Sequence, residues 1–183
     1  QIAVGQKFQL RGFVKDLRTS GGNLGVFAAF QDILYNSALV GVDLSSSNPL
    51  GFQATFGPNY NRVPNGDIRN TNLINEIGSV QTLNDPLGSD EFLQFTITLT
   101  ARAVGTASFV GDPADISPFH DSLLFQPPDV VTSDLIRYVS DSLNIVAASV
   151  GGSGEGFTNT VNRYDVNADG FVSPIDSLLI LNS

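Results

Sequence analysis

The feature that most constrains this chain is a period of two. In EFLQFTITLTARA, residues 91–103, the apolar side chains Leu93, Phe95, Ile97, Leu99 and Ala101 alternate with Gln94, Thr96, Thr98 and Thr100. Successive side chains of a strand point to opposite faces, so this pattern describes a strand with one buried and one half-solvated side. The same alternation runs from residue 6 to about 147, broken at short intervals by Gly, Pro, Asn and Asp. In KFQLRGFVKDL, Phe8, Leu10 and Val14 oppose Gln9, Arg11 and Lys15, whereas GVFAAFQDILYN is apolar on both faces and reads as a central strand. Further strands are expected at 38–44, 51–56, 106–110, 122–125 and 135–145, and NRVPNGDIRNTN, rich in turn formers, is expected to be a surface excursion. No helical period occurs in this body. The expected fold is mainly β, an antiparallel sandwich over residues 1–149.

The pattern then changes. GGSGEGF opens a Gly-rich linker, assigned to 150–160, and 161–183 forms a separate tail containing DVNADGFVSPID. Calcium takes six to eight oxygen ligands, and a twelve-residue loop supplies them from positions 1, 3, 5, 7, 9 and 12, with Gly at 6 to turn the chain. Counting from Asp165, those positions hold Asp165, Asn167, Asp169, the carbonyl of Phe171, Ser173 and Asp176, and Gly170 stands at position 6. Three carboxylates around a dication leave a small negative excess, which suits Ca2+. A chance Asn-Asp-Gly turn with acids nearby would not fill every slot. After the loop, Ser173 fits an N-cap and Pro174 the first helical position, with Ile175, Leu178 and Leu179 on one stripe. Asp at position 12 and the absence of an entering amphipathic helix separate this pattern from a helix-loop-helix sensor.

The segment NRYDVNADGFVSPIDSLLILNS resembles one repeat of a type I dockerin, the calcium-binding module of bacterial secreted and cellulosomal proteins. The resemblance implies that Pro174 and Ile175, at loop positions 10 and 11, help to recognise a protein partner, with Leu178 and Leu179 behind them. Dockerins carry two such repeats and this chain shows one; DISPFHDSLLF, 115–125, echoes the tail but lacks the alternating oxygens and the turn Gly. The body is similar to cohesin modules, through VGQKFQLRGFVKDL and GVFAAFQDILYN near its start and FLQFTITLTARAVGTASFVGDPA later. That resemblance implies a jelly-roll sandwich that binds dockerins and shares its architecture with cellulose-binding modules. A helix as short as the one after the loop is marginal alone in water. The tail is therefore expected to dock Ile175, Leu178, Leu179 and Leu181 on a cohesin-like sheet, in the same chain or in another chain, a second copy included.

Composition narrows the function. A formal net charge of −9, with nine basic residues dispersed along the sequence, disfavours nucleic acid and anionic membranes. The absence of Cys excludes disulfides and thiolate sites, and no apolar run is long enough to span a bilayer; no leader is read at the N-terminus either. An acidic, lysine-poor chain with a calcium loop suits an extracellular or cell-surface setting. His120, the one histidine, is flanked by Asp112, Asp115 and Asp121 but by no nucleophile motif, and reads as a loop residue rather than a catalytic one. Of the three glutamates, Glu76, Glu91 and Glu155, nothing in the sequence sets two across a cleft. No enzymatic activity is expected. A carbohydrate-binding module is the alternative, with Tyr60 in GPNYNRVPNG as its best exposed aromatic candidate in a chain without Trp.

Overall fold

A computed structural model describes residues 1–42, 54–125 and 130–148. Eleven strands are defined there: β1 (Ile2–Ala3), β2 (Lys7–Lys15), β3 (Val26–Tyr35), β4 (Val40–Val42), β5 (Ala54–Phe56), β6 (Arg62–Asp67), β7 (Leu73–Val80), β8 (Glu91–Ala101), β9 (Gly105–Pro113), β10 (Leu123–Leu124) and β11 (Asp141–Val146). They form two sheets. The larger runs β1-β11-β9-β3-β7-β6, and the smaller runs β2-β8 with β4 and β5 both along the far edge of β8. Every pairing is antiparallel except β1 with β11 at the edge. These strands belong to a compact unit, Gln1–Ala147.

The core lies between the sheets. Ile33, Ile74, Ile77, Ala107, Phe109 and Ile145 enter from the larger sheet, and Val40, Ala54, Phe95, Ile97, Leu99 and Ala101 from the smaller. Full burial of each large apolar side chain is worth roughly 1.5–3 kcal/mol, so this layer supplies the main force joining the sheets. Packing is close enough that a β-carbon on Gly12 would strike the Phe95 ring. The expected core positions 95, 97, 99 and 101 all point inward, and β3 is central, flanked by β9 and β7.

The alternation fails at one point in β8. Gly12 pairs with Phe95 but Phe13 with Leu93, so Gln94 is the extra residue of a bulge. Leu93 therefore joins Phe13 on the outer face, while Gln94 turns inward and its Nε2 donates to the carbonyl of Ala29 across the sandwich (2.6 Å). The expectation that Leu93 faces the core and Gln94 the solvent is corrected accordingly.

Three further expectations change. The excursion expected at 61–72 contains strand β6, bent and irregularly paired, with left-handed Val63 (φ 46°) and Gly66 (φ 145°). Strand β7 was not anticipated at all. The strand expected over 135–145 is a 3-10 turn, Ser133–Leu135, followed by β11 from Asp141. Of the other short strands among the described residues, β4 at 40–42, β5 at 54–56 and β10 at 123–124 fall inside the expected windows, whereas β1 at 2–3 precedes them all.

Beyond β2, Asp16 fastens the loop that leads to β3. Its buried carboxylate accepts both Nε (3.0 Å) and Nη2 (2.6 Å) of Arg18, the Arg18 amide (2.9 Å) and the Gly25 amide (2.7 Å). Burial pushes this carboxyl upward, but the Arg18 and Gly25 donors outweigh it and hold the group below its usual range. Asp16→Ala is expected to cost about 2–3 kcal/mol, since it strands charged and buried donors. A depressed native pKa contributes stability above the ordinary carboxylate range and loses it as pH falls through the native value. Denaturation of both proteins should therefore show the deficit in full at pH 7 and a shrinking one in strong acid.

Candidate functional site

The densest polar constellation among the described residues lies on the outer face of the larger sheet. Strand β9 pairs with Gln31–Tyr35 of β3, leaves the sheet at Pro113, and the chain returns as β10 beside Val26 and Ala28. The intervening residues 114–122 are thus thrown over the face beside β7. Gln31 pairs with Ile77 and Ile33 with Ile74, which leaves one extra residue on β7 opposite Asp32. Glu76 occupies that bulge at φ 55°, a conformation that a non-glycine residue adopts only under constraint.

The constraint is a set of hydrogen bonds. The Glu76 amide donates to Asp32 Oδ1 (2.6 Å) instead of completing the ladder. The Glu76 carboxylate, 3% exposed, accepts the amides of Asp115 (2.7 Å) and Ile116 (3.1 Å) on Oε1, and Oε2 meets Nδ1 of His120 at 2.5 Å. The ring of His120, 11% exposed, stacks on Phe30 with centroids 4.7 Å apart. Its other nitrogen, Nε2, faces the side-chain amide of Asn65 from β6. Asn65 Oδ1 already accepts the Gly66 amide (2.8 Å), which turns its NH2 group toward the histidine. The arrangement fits the tautomer with hydrogen on Nδ1, which donates to Glu76 while Nε2 accepts from Asn65. A general base needs a free ring nitrogen facing a substrate, and here both nitrogens are engaged.

A cavity of about 200 Å³ opens beside this pair, lined by Phe30, Pro113, His120, Asp121, Thr132 and Tyr138. On β3, Asp32 is 6% exposed, and its ladder partner is Asp112. Burial raises the Asp32 carboxyl above its usual range despite the Glu76 amide, and the nearby charges of Glu76, Asp115 and Asp112 push it further. Burial likewise raises the Tyr138 hydroxyl, with Asp112 and Asp32 adding to it. Among the described residues no group of three or more His, Asp or Glu side chains is arranged to hold a metal.

The sequence-derived sites fare differently. Asp165, Asn167, Asp169, Phe171, Ser173 and Asp176, and the partner-binding set Pro174, Ile175, Leu178 and Leu179, lie outside the described residues, as do the linker and Leu181. His120 is placed in a loop as expected, but it is a half-buried, doubly bonded loop residue. Tyr60, expected as an exposed sugar platform, is 1% exposed, and its hydroxyl donates to the Val26 carbonyl (2.7 Å). Sequence reasoning weighed Glu76 only as one of three glutamates; the usable signal was an acid set between Ile74 and Ile77 in LINEIGSV.

No protein-family model matches this chain, and no curated protein matches it. One solved structure that aligns with it is a cohesin module from a family 33 glycoside hydrolase of Clostridium perfringens, with 13% identity and a TM-score of 0.49, covering 80% of this chain and 90% of that one. No helix among the described residues is long and apolar enough to cross a membrane.

The raised Asp32 carboxyl yields a signed expectation. A native pKa above the unfolded one means the folded state holds its proton longer, so the group's contribution to stability falls as pH rises through that interval. Asp32→Asn keeps an acceptor for the Glu76 amide and removes the crowded charge. Thermal unfolding should show the variant more stable than the wild type at pH 7, the gain disappearing below about pH 4. A variant that is less stable at pH 7 would contradict this account.

Proposed function

We propose that the protein is a non-catalytic, calcium-dependent protein-protein interaction module. The observation that carries this reading is the donor set of the tail: Asp165, Asn167, Asp169, the Phe171 carbonyl, Ser173 and Asp176 at the six loop positions a calcium ion requires, around Gly170. Hard oxygen donors with three carboxylates fit Ca2+ and would be poorly matched to a soft metal. Calcium binding would fix the loop and order the segment after it, because the ion links residues that otherwise repel one another. The apolar residues Ile175, Leu178 and Leu179, with Pro174, then form the surface that recognises a β-sandwich partner.

In this reading the body is a cohesin-like jelly roll, the reading suggested by VGQKFQL and FLQFTITLTARAVG. The two-sheet architecture and its shared core support a rigid carrier for such a tail. Engagement of both nitrogens of His120 supports a non-catalytic role for the most polar cluster of the body. The acidic, lysine-poor, cysteine-free composition supports an extracellular or cell-surface setting, where calcium is abundant enough to fill the loop.

Calorimetric titration of calcium, paired with sedimentation velocity in calcium and in chelator, tests the proposal on the full chain and on the double variant Asp165→Ala/Asp169→Ala. The wild type should bind about one calcium through the loop and change its sedimentation when the ion is removed. The variant should do neither. Wild type that takes up no calcium at millimolar concentration, or a variant that binds it unchanged, would overturn the assignment.

A further inference from the structure

The smaller sheet gathers positive charge that looks dispersed in the sequence. Phe8, Leu10, Gly12 and Val14 of β2 face inward, and Lys7, Gln9, Arg11, Phe13 and Lys15 face away. Both lysines of the chain stand on this strand. Opposite Lys7, Gln9 and Arg11, β8 sets Thr100, Thr98 and Thr96, and β5 adds Thr55 beside Thr96. The outward position of β4 is Gly41, paired with Thr100, and a β-carbon there would strike the Arg102 guanidinium. The missing side chain thus lets Arg102, an exposed residue, lie across the strand and contribute a fourth cation. Within the strands of this sheet, the single acid is Glu91, opposite Lys15. A chain of net charge −9 therefore carries one face of net positive charge.

We propose that this face binds an acidic polysaccharide, a polymer of sugar rings that carry carboxylates. Three features together select that ligand. Along β2 the cations recur every fourth residue, an interval of about 13 Å, on the same face as a strip of threonine hydroxyls that can exchange hydrogen bonds with sugar hydroxyls. Arg11 is steadied on this face by the Gln9 side chain (2.8 Å), which leaves most of its guanidinium donors available to a carboxylate. Between Arg11 and Lys15 stands the ring of Phe13, 49% exposed, on which the C–H face of a sugar can stack.

Competing explanations use only part of this surface. Charged side chains on an edge strand discourage pairing with another chain, but that role calls neither for Arg102 on the far side of β8 nor for an exposed ring between two cations. An acidic peptide would use the cations and leave the ring and hydroxyl strip idle. Duplex nucleic acid would meet the same cations, but with one charge per about 1.7 Å of its axis it is repelled by a chain of net charge −9 far more than a polymer with one carboxylate per sugar ring.

The test is binding of the full chain, in chelator so that the calcium loop plays no part, to polygalacturonate, to its fully methyl-esterified form and to polyglutamate. Affinity electrophoresis at several salt concentrations gives the dissociation constants, and circular dichroism confirms that the variants fold. Polygalacturonate should bind most tightly, with an affinity that falls as salt rises, and its neutral ester weakly. Arg11→Gln/Lys15→Gln should lower affinity for polygalacturonate at least about fivefold, the scale expected for two exposed charge pairs. Phe13→Ala should lower it about threefold while leaving polyglutamate binding unchanged, as loss of stacking alone would do. No binding of polygalacturonate by the wild type, unchanged binding by the double charge variant, or a Phe13→Ala loss that is the same for polyglutamate would each overturn the proposal.

Discussion

A buried carboxylate in a left-handed bulge organises the outer half of the larger sheet. Glu76 sits where the β3–β7 ladder takes an extra residue, and its positive φ aims the side chain off the sheet toward the 114–122 loop. An unpaired carboxylate at that depth would be prohibitively costly. Two backbone amides and one imidazole satisfy it, and the same contacts fix the loop that carries them. Because Asn65 of β6 meets the far side of the ring and Phe30 of β3 lies beneath it, one side chain ties three strands to a loop. Removing any member would leave a buried polar group without a partner, which is why the cluster behaves as a unit.

The two outer faces of the sandwich consequently differ. On the larger sheet, the 114–122 loop lays His120 on Phe30, Tyr138 lies near Gly111, and the charges of Glu76, Asp115 and Asp112 crowd the buried Asp32. On the smaller sheet the outward side chains are mainly cations and threonines, with Gln9, Phe13, Leu93 and Glu91 among them. The cluster of buried acids thus lies on one sheet, and four of the chain's cations gather on the other, where the strands hold one acid, Glu91. Net charge alone, summed over the chain, conceals this division.

The parts of this structure that could be read from the sequence are those whose cause is local. Alternation in Phe95, Ile97, Leu99 and Ala101 declared a half-buried strand, and two-sided apolarity in β3 declared a central one. Strand β7 escaped because Asn75, Glu76 and Gly78 break the period, and Glu76 is polar for a reason located at His120, 44 residues away. Tyr60 escaped similarly, since its hydroxyl finds the Val26 carbonyl 34 residues distant, so a turn-rich context misrepresented its burial. The bulge at Gln94 depends on a partner carbonyl at Ala29 in the opposite sheet. The calcium-type spacing from Asp165 to Asp176 is a pattern of the sequence alone, local by nature, and lies outside the described residues. Cations on β2 and Arg102 come together only through the register of strands that are distant in sequence.

The most direct test of the central claim is the tautomer of His120, read from long-range 1H–15N correlations of the single imidazole in the 15N-labelled protein. The account predicts a ring with its hydrogen on Nδ1 and a bare, hydrogen-bonded Nε2, the tautomer in which Glu76 accepts and Asn65 donates. Hydrogen on Nε2, or two rapidly interchanging tautomers, would show that Glu76 does not hold the ring and would contradict the account of how the loop is fixed.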